Sequence, residues 1–214
     1  MRAGARSAPH PGPLPAKQGE GVLVSLGLLL CACGPGGGLF TVLDEGTGEP
    51  VVTHINRAVG SSYVFGLMDA TGKVSSTSNA AYTGHTTLTG GPEVLVYSTP
   101  DGDVFLEHSA DGNQEFVWGS NGDLATAPQL AIRLPLRLGT RWRTNDEKGT
   151  AFYEFRVETV ERVTVPAGTF DTAKLVQLNL RQGTQVDRWY AQDVGLVQRN
   201  QSLLFSYSLA QETP

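Results

Sequence analysis

From about residue 58 onward, apolar side chains recur at every second position, and this alternation constrains the chain more than any other feature. Leu130, Ile132, Leu134, Leu136 and Leu138 alternate with Ala131, Arg133, Pro135 and Arg137. Tyr153, Phe155 and Val157 alternate with Glu154, Arg156 and Glu158, and Leu203, Phe205, Tyr207 and Leu209 with Leu204, Ser206 and Ser208. A helix repeats every 3.6 residues and would scatter such rows around its surface. A strand repeats every two and gathers each row on one sheet face. The pattern predicts a strand at each stretch, with the named apolar row facing inward. Pro135 cannot donate to a ladder, so its stretch is expected at an edge or as an extended lead-in.

The turns are written as plainly. Thr99-Pro-Asp-Gly-Asp103, Ser109-Ala-Asp-Gly-Asn113 and Gly119-Ser-Asn-Gly-Asp123 follow one another at a ten-residue spacing. Asp-Gly and Asn-Gly tolerate positive φ and mark tight hairpins. Between them lie Val104–His108 and Gln114–Trp118, each the length of a short strand. The expected fold class is all-β: an antiparallel meander forming a curved sheet, as an open or closed barrel. The 26 glycines agree with it, because glycine weakens helices. A longer echo, Gly60-Ser-Ser-Tyr63 against Gly139-Thr-Arg-Trp142, divides a β-domain at 51–214 into two similar halves, 58–130 and 131–211.

The N-terminus has a different character. Gly21–Leu30 is an apolar run of ten residues, preceded by Arg2, Arg6 and Lys17. That is too short to cross a bilayer, which needs roughly 20 helical residues, and has the length of a signal-peptide core. Leu30-Cys31-Ala32-Cys33 follows at once and resembles the lipobox of bacterial lipoproteins. The resemblance implies a signal peptide at 1–32, cleavage after Ala32, and lipidation of Cys33. A plain secretory signal cleaved nearby is the alternative. Residues 33–50, beginning with a Gly-Pro-Gly-Gly-Gly run, are expected to be a flexible tether. Gly34 stands where an inner-membrane retention signal would place Asp, which favours the outer membrane facing the periplasm. The chain after residue 32 carries 13 basic and 20 acidic residues. Such a chain is not drawn to nucleic acid or to an anionic lipid surface, so its membrane partnership is expected to come from the anchor.

A second resemblance covers about Leu134 to Leu209. Leu136-Arg-Leu-Gly-Thr-Arg-Trp142, Val163-Thr-Val-Pro-Ala-Gly-Thr-Phe170 and Trp189-Tyr-Ala-Gln-Asp-Val-Gly-Leu-Val197 are similar to signatures of a group of uncharacterised bacterial envelope lipoproteins. That group implies a β-rich domain and no particular activity. Val165-Pro-Ala-Gly168 reads as a turn, and Trp118, Trp142 and Trp189 read as large fillers of the core. The same three tryptophans are also the candidate lining of a ligand site.

The residues give little chemistry to build on. His54, His85 and His108 lack paired ligand spacing, and the acidic turns do not form a calcium loop. No Gly-x-Ser-x-Gly elbow or phosphate-binding glycine loop occurs, so no catalytic residue, metal or cofactor is assigned. Three readings remain. The first is a non-catalytic envelope lipoprotein binding an apolar ligand within its sheet. The second is a module docking on an envelope protein. The third, ranked below both, is a hydrolase. A cavity, a filled core with an exposed apolar patch, or a cleft of convergent polar groups would tell them apart.

Overall fold

The computed structural model describes residues 40–145 and 150–212. They form thirteen strands and, among the described residues, no helix. The first seven are β1 (Phe40–Val52), β2 (Ser62–Met68), β3 (Val74–Thr87), β4 (Glu93–Thr99), β5 (Gly102–His108), β6 (Gln114–Ser120) and β7 (Asp123–Arg133). The remaining six are β8 (Leu136–Asn145), β9 (Ala151–Val165), β10 (Gly168–Asn179), β11 (Gln185–Ala191), β12 (Gly195–Arg199) and β13 (Ser202–Ser208). All belong to one antiparallel sheet, in the order β1-β8-β9-β10-β11-β12-β13-β2-β3-β4-β5-β6-β7. Strands β2–β7 make one six-strand meander and β8–β13 another. Pairing of β13 with β2 joins them, and β1 adds to the outer side of β8.

The ladder does not close, because β1 and β7 are both edges. The sheet nevertheless curls until those edges face each other. Phe40 of β1 lies 6.3 Å from Phe116 of β6, ring centre to ring centre. The Trp142 indole of β8 donates to the Leu130 carbonyl of β7 at 3.4 Å. Arg133 of β7 grips both carboxylate oxygens of Glu45 on β1, at 2.6 and 2.8 Å. One buried cluster therefore unites Phe116, Leu130 and Ile132 with Trp142, Phe155 and Leu175, across the seam.

Three expectations change. Residues 40–50, expected in the tether, form most of β1. Their Gly- and Thr-rich sequence lacks a two-residue pattern, and two register shifts break their pairing with β8. What makes them a strand is the free edge of β8. Gly46 has φ +74°, and a Cβ there would lie 2.6–2.8 Å from Thr140 and the Leu138 carbonyl. The apolar row from Leu130 to Leu138 is not one strand but two. It breaks at Leu134-Pro135, where the chain leaves one meander and steps across the seam to begin the other. In β13 the facing is reversed. Leu204 is fully buried, whereas Tyr207 is exposed and packs 6.2 Å from Phe170. Both Leu203 and Leu204 are apolar, so alternation could not choose between the faces, and a register shift lies between Leu204 and Ser206.

Because every pair is antiparallel, successive turns alternate between two ends of the curled sheet. The β3–β4, β5–β6, β7–β8, β9–β10 and β11–β12 connections share one end. The β1–β2 loop, residues 53–61, crosses that end and buries Ile55. Gln192 of the β11–β12 turn accepts from the Thr53 amide at 2.7 Å, and Asp193 N donates to the His54 carbonyl at 3.0 Å. The C-terminal segment adds to this floor: Asn56 donates to the Ala210 carbonyl, and the Arg57 amide to Glu212. The other end carries the β2–β3, β4–β5, β6–β7, β10–β11 and β12–β13 turns. The chain enters there too, since Phe40 pairs with Thr144 near the end of β8.

Candidate functional site: a cavity inside the curled sheet

The inward rows of the two meanders meet in two buried clusters but do not fill the space between them. They leave a cavity of about 620 Å³. Ile55, Glu115 and Val194 lie at its floor, and Phe65, Leu106, Val117 and Leu196 form apolar wall. Asp101, Asn121 and Arg199, all exposed, mark the opposite rim and place a mouth there. The lining follows strand periodicity. Tyr63 and Phe65 come from β2, Tyr153 and Phe155 from β9, and Arg188 and Tyr190 from β11.

The floor holds a buried ion pair. Arg57 Nε donates to Glu115 Oε2 at 2.7 Å, and His108 Nε2 lies 3.3 Å from the same oxygen. Burial by itself would raise the Glu115 pKa. The Arg57 charge and the contact with His108 outweigh it and bring the carboxyl down to about 2. Arg57 Nη2 is buried without a hydrogen-bond partner among the described residues. Beneath this pair His54 bridges Asp193 at 2.9 Å and Glu212 at 2.8 Å. Desolvation opposes the imidazolium there, but the two carboxylates raise its pKa above the ordinary value.

Five tyrosines line the cavity, Tyr63, Tyr82, Tyr97, Tyr153 and Tyr190. Burial pushes the Tyr63 hydroxyl up to about 12, and raises Tyr82, Tyr97 and Tyr190 as well. At neutral pH these four are uncharged phenols. Tyr82 and Tyr97 pack with ring centres 4.8 Å apart. Arg188 is the cation of the upper wall. Desolvation lowers its pKa, in keeping with a half-buried side chain on the cavity wall. Its Nη1 donates to the Gln177 side-chain carbonyl. Apolar walls, neutral phenols and two arginines, Arg188 and Arg199, that form no ion pair among the described residues are the makings of a binding cavity.

The three tryptophans are not brought together. Trp142 is fully buried and stacks on Phe155 at 5.2 Å, with 9° between the planes. Trp118 donates to Glu107 Oε2 at 2.7 Å on the outer side of its strand. Trp189 donates to Glu161 Oε1 at 2.7 Å, with Lys174 Nζ 5.3 Å above its ring. None of the three lines the cavity. Their neighbours Val117 and Tyr190 do. Alternation says that Trp189 and Tyr190 face opposite ways, but not which of them faces in. Arg188 shares a face with Tyr190, and a charge on that row argues by alternation for facing solvent, so no local signal pointed to this row as the inward one. Cys33 lies outside the described residues. Among the described residues, no group of His, Cys, Asp and Glu is arranged to hold a metal ion.

No protein-family model matches the chain, and no curated protein does. Two solved structures are similar in part. One is a protein from Parabacteroides distasonis described as a lipoprotein, with 17% identity, a TM-score of 0.39, and 75% of this chain and 100% of that one covered. The other is an exported protein with a YmcC-like fold from Bacteroides fragilis, with 16% identity, a TM-score of 0.42, and 73% and 99% covered. Likeness of this degree carries no inference about function.

Proposed function

We propose that this chain is a lipid-anchored envelope protein that holds an apolar ligand inside its curled sheet, without catalysis. The observation that carries the reading is the cavity itself. About 620 Å³ lies within the roughly 300–1,000 Å³ of small-molecule sites, and the floor is plugged while the far end reaches solvent. The Leu-Cys-Ala-Cys33 sequence supplies the anchor and, with Gly34, the assignment to the outer membrane facing the periplasm. The mouth adds support, because β1 begins at the mouth end, seven residues after Cys33. An anchored molecule thus presents its opening on the side from which it is tethered.

The test is saturable binding of N-phenyl-1-naphthylamine, whose fluorescence rises in apolar surroundings. It is run on the full chain and on the same chain carrying Val117→Trp, so that dye held by the signal or anchor cancels. Val117 is half-buried and faces the cavity, so a tryptophan there fills space without opening a gap. The expected result is a saturable site in the parent that the variant loses, with both melting cooperatively at similar temperatures. Equal dye binding by the two chains would overturn the reading.

A further inference from the structure

The cavity holds a charge that no carboxylate among the described residues neutralises. Arg188 sits on β11 three residues in from the strand's mouth-side end at Gln185, and its partner is the neutral side-chain carbonyl of Gln177. A guanidinium cannot shed its proton in a protein, and a desolvated charge is costly unless paired. Yet among the described residues no ion pair joins Arg188 to a carboxylate. Glu115, the acid of the floor, is already committed to Arg57 and His108. The nearest like charge makes matters worse: Arg199, opposite Arg188 in the β11–β12 ladder, also lines the cavity and lowers the Arg188 pKa further. Asp101, the rim carboxylate, is in no ion pair with either arginine. The chain after residue 32 is acidic, with 13 basic and 20 acidic residues, so two arginines under the mouth stand against the overall charge. Below them the wall turns apolar, through Phe65, Leu106, Val117 and Leu196.

We infer that the cavity takes a single-chain amphiphile whose anionic head, a carboxylate or phosphate, pairs with Arg188 beneath the rim while its chain lies against Phe65, Leu106, Val117 and Leu196. The inference rests on the apolar-ligand reading above and adds the head group to it. An anion at this depth supplies the counter-charge that Gln177 cannot, and charge-assisted hydrogen bonds in a water-poor site are the strong ones. Arg199 at the rim draws the head in, and the fixed guanidinium of Arg188 receives it.

The test displaces N-phenyl-1-naphthylamine from the full chain with dodecanoate, dodecyl phosphate and 1-dodecanol, all below their micelle concentrations. The expected result is that at least one acid competes about tenfold or more better than the alcohol. Whichever acid is stronger identifies the head. Arg188→Met should bring the acid down to the level of the alcohol, and Arg188→Lys, which keeps a cation, should retain most of the preference. If Arg188→Met does not melt cooperatively, the ratio in the parent and in Arg188→Lys decides. Acid and alcohol competing equally in the parent would overturn the head-group inference and leave the apolar-ligand reading standing. No displacement by any of the three would overturn both.

Discussion

Glu115 shows how one residue ties the floor of the cavity to pH. It is 7% exposed, and its charge is sustained by Arg57 at 2.7 Å and His108 at 3.3 Å. Its carboxyl titrates at about 2 in the folded chain against an ordinary 4.5. The group is thus more acidic folded than unfolded. The stability it contributes is whole above pH 4.5 and is lost as the pH falls from there toward about 2. Glu115→Gln removes that titration and leaves the Arg57 guanidinium buried and unpaired, which costs about 3–5 kcal/mol near neutral pH. Denaturation at pH 7 and pH 3 should therefore show a large deficit for the variant at pH 7 that narrows at pH 3. A deficit of the same size at both would mean that the pair does not control this acid limb.

At the level of elements, the seam between β1 and β7 is the place to look. No ladder bonds cross it, so it is held by side chains alone. The Arg133–Glu45 pair is partly in water, with Glu45 68% exposed, and such pairs contribute about 0–1 kcal/mol. Burial must supply the rest, through Trp142 stacked on Phe155 and reaching Leu130, and through Phe40 against Phe116. Trp142→Ala should cost about 3–5 kcal/mol, as large aromatic truncations do. Trp189→Phe, on the outer side, should cost less than about 1 kcal/mol. Urea unfolding of the two variants measures both, and a loss at Trp189 as large as at Trp142 would refute the division of roles.

Across the whole molecule, what matters is that β1 begins at the mouth end of the sheet. Seven residues extended at about 3.5 Å each span at most about 25 Å, so the lipidation proposed for Cys33 would keep the mouth end within that reach of the bilayer. Labels on single cysteines at Asn121, at the mouth end, and at Asp111, in a floor turn, should report this in the membrane-bound protein. Quenching by lipid-borne nitroxides should be clearly stronger at Asn121. Equal or reversed quenching would show that the mouth does not face the membrane.

Much of the fold was legible, because strand periodicity and turn chemistry are local. Asp-Gly and Asn-Gly turns gave the β4–β5, β5–β6 and β6–β7 hairpins, and Val165-Pro-Ala-Gly168 gave the β9–β10 turn. The all-β class and the curved antiparallel meander follow from such signals, but whether the sheet closes does not; that is seen only in the strand order, where β1 and β7 remain edges. What alternation cannot supply is which of two rows faces inward, as at Trp189-Tyr190 and Leu203-Leu204. That choice depends on what the opposite wall presents. Nor does it reveal a strand such as β1, which exists because β8 has a free edge, or the step at Leu134-Pro135, which exists because the sheet has curled. The cavity belongs to this second kind. It is the space left between two rows brought face to face across the fold, and Arg57 meets Glu115 only when the β1–β2 loop crosses the floor. Chemistry that depends on residues far apart in the chain becomes visible only once curling of the sheet has set their distance.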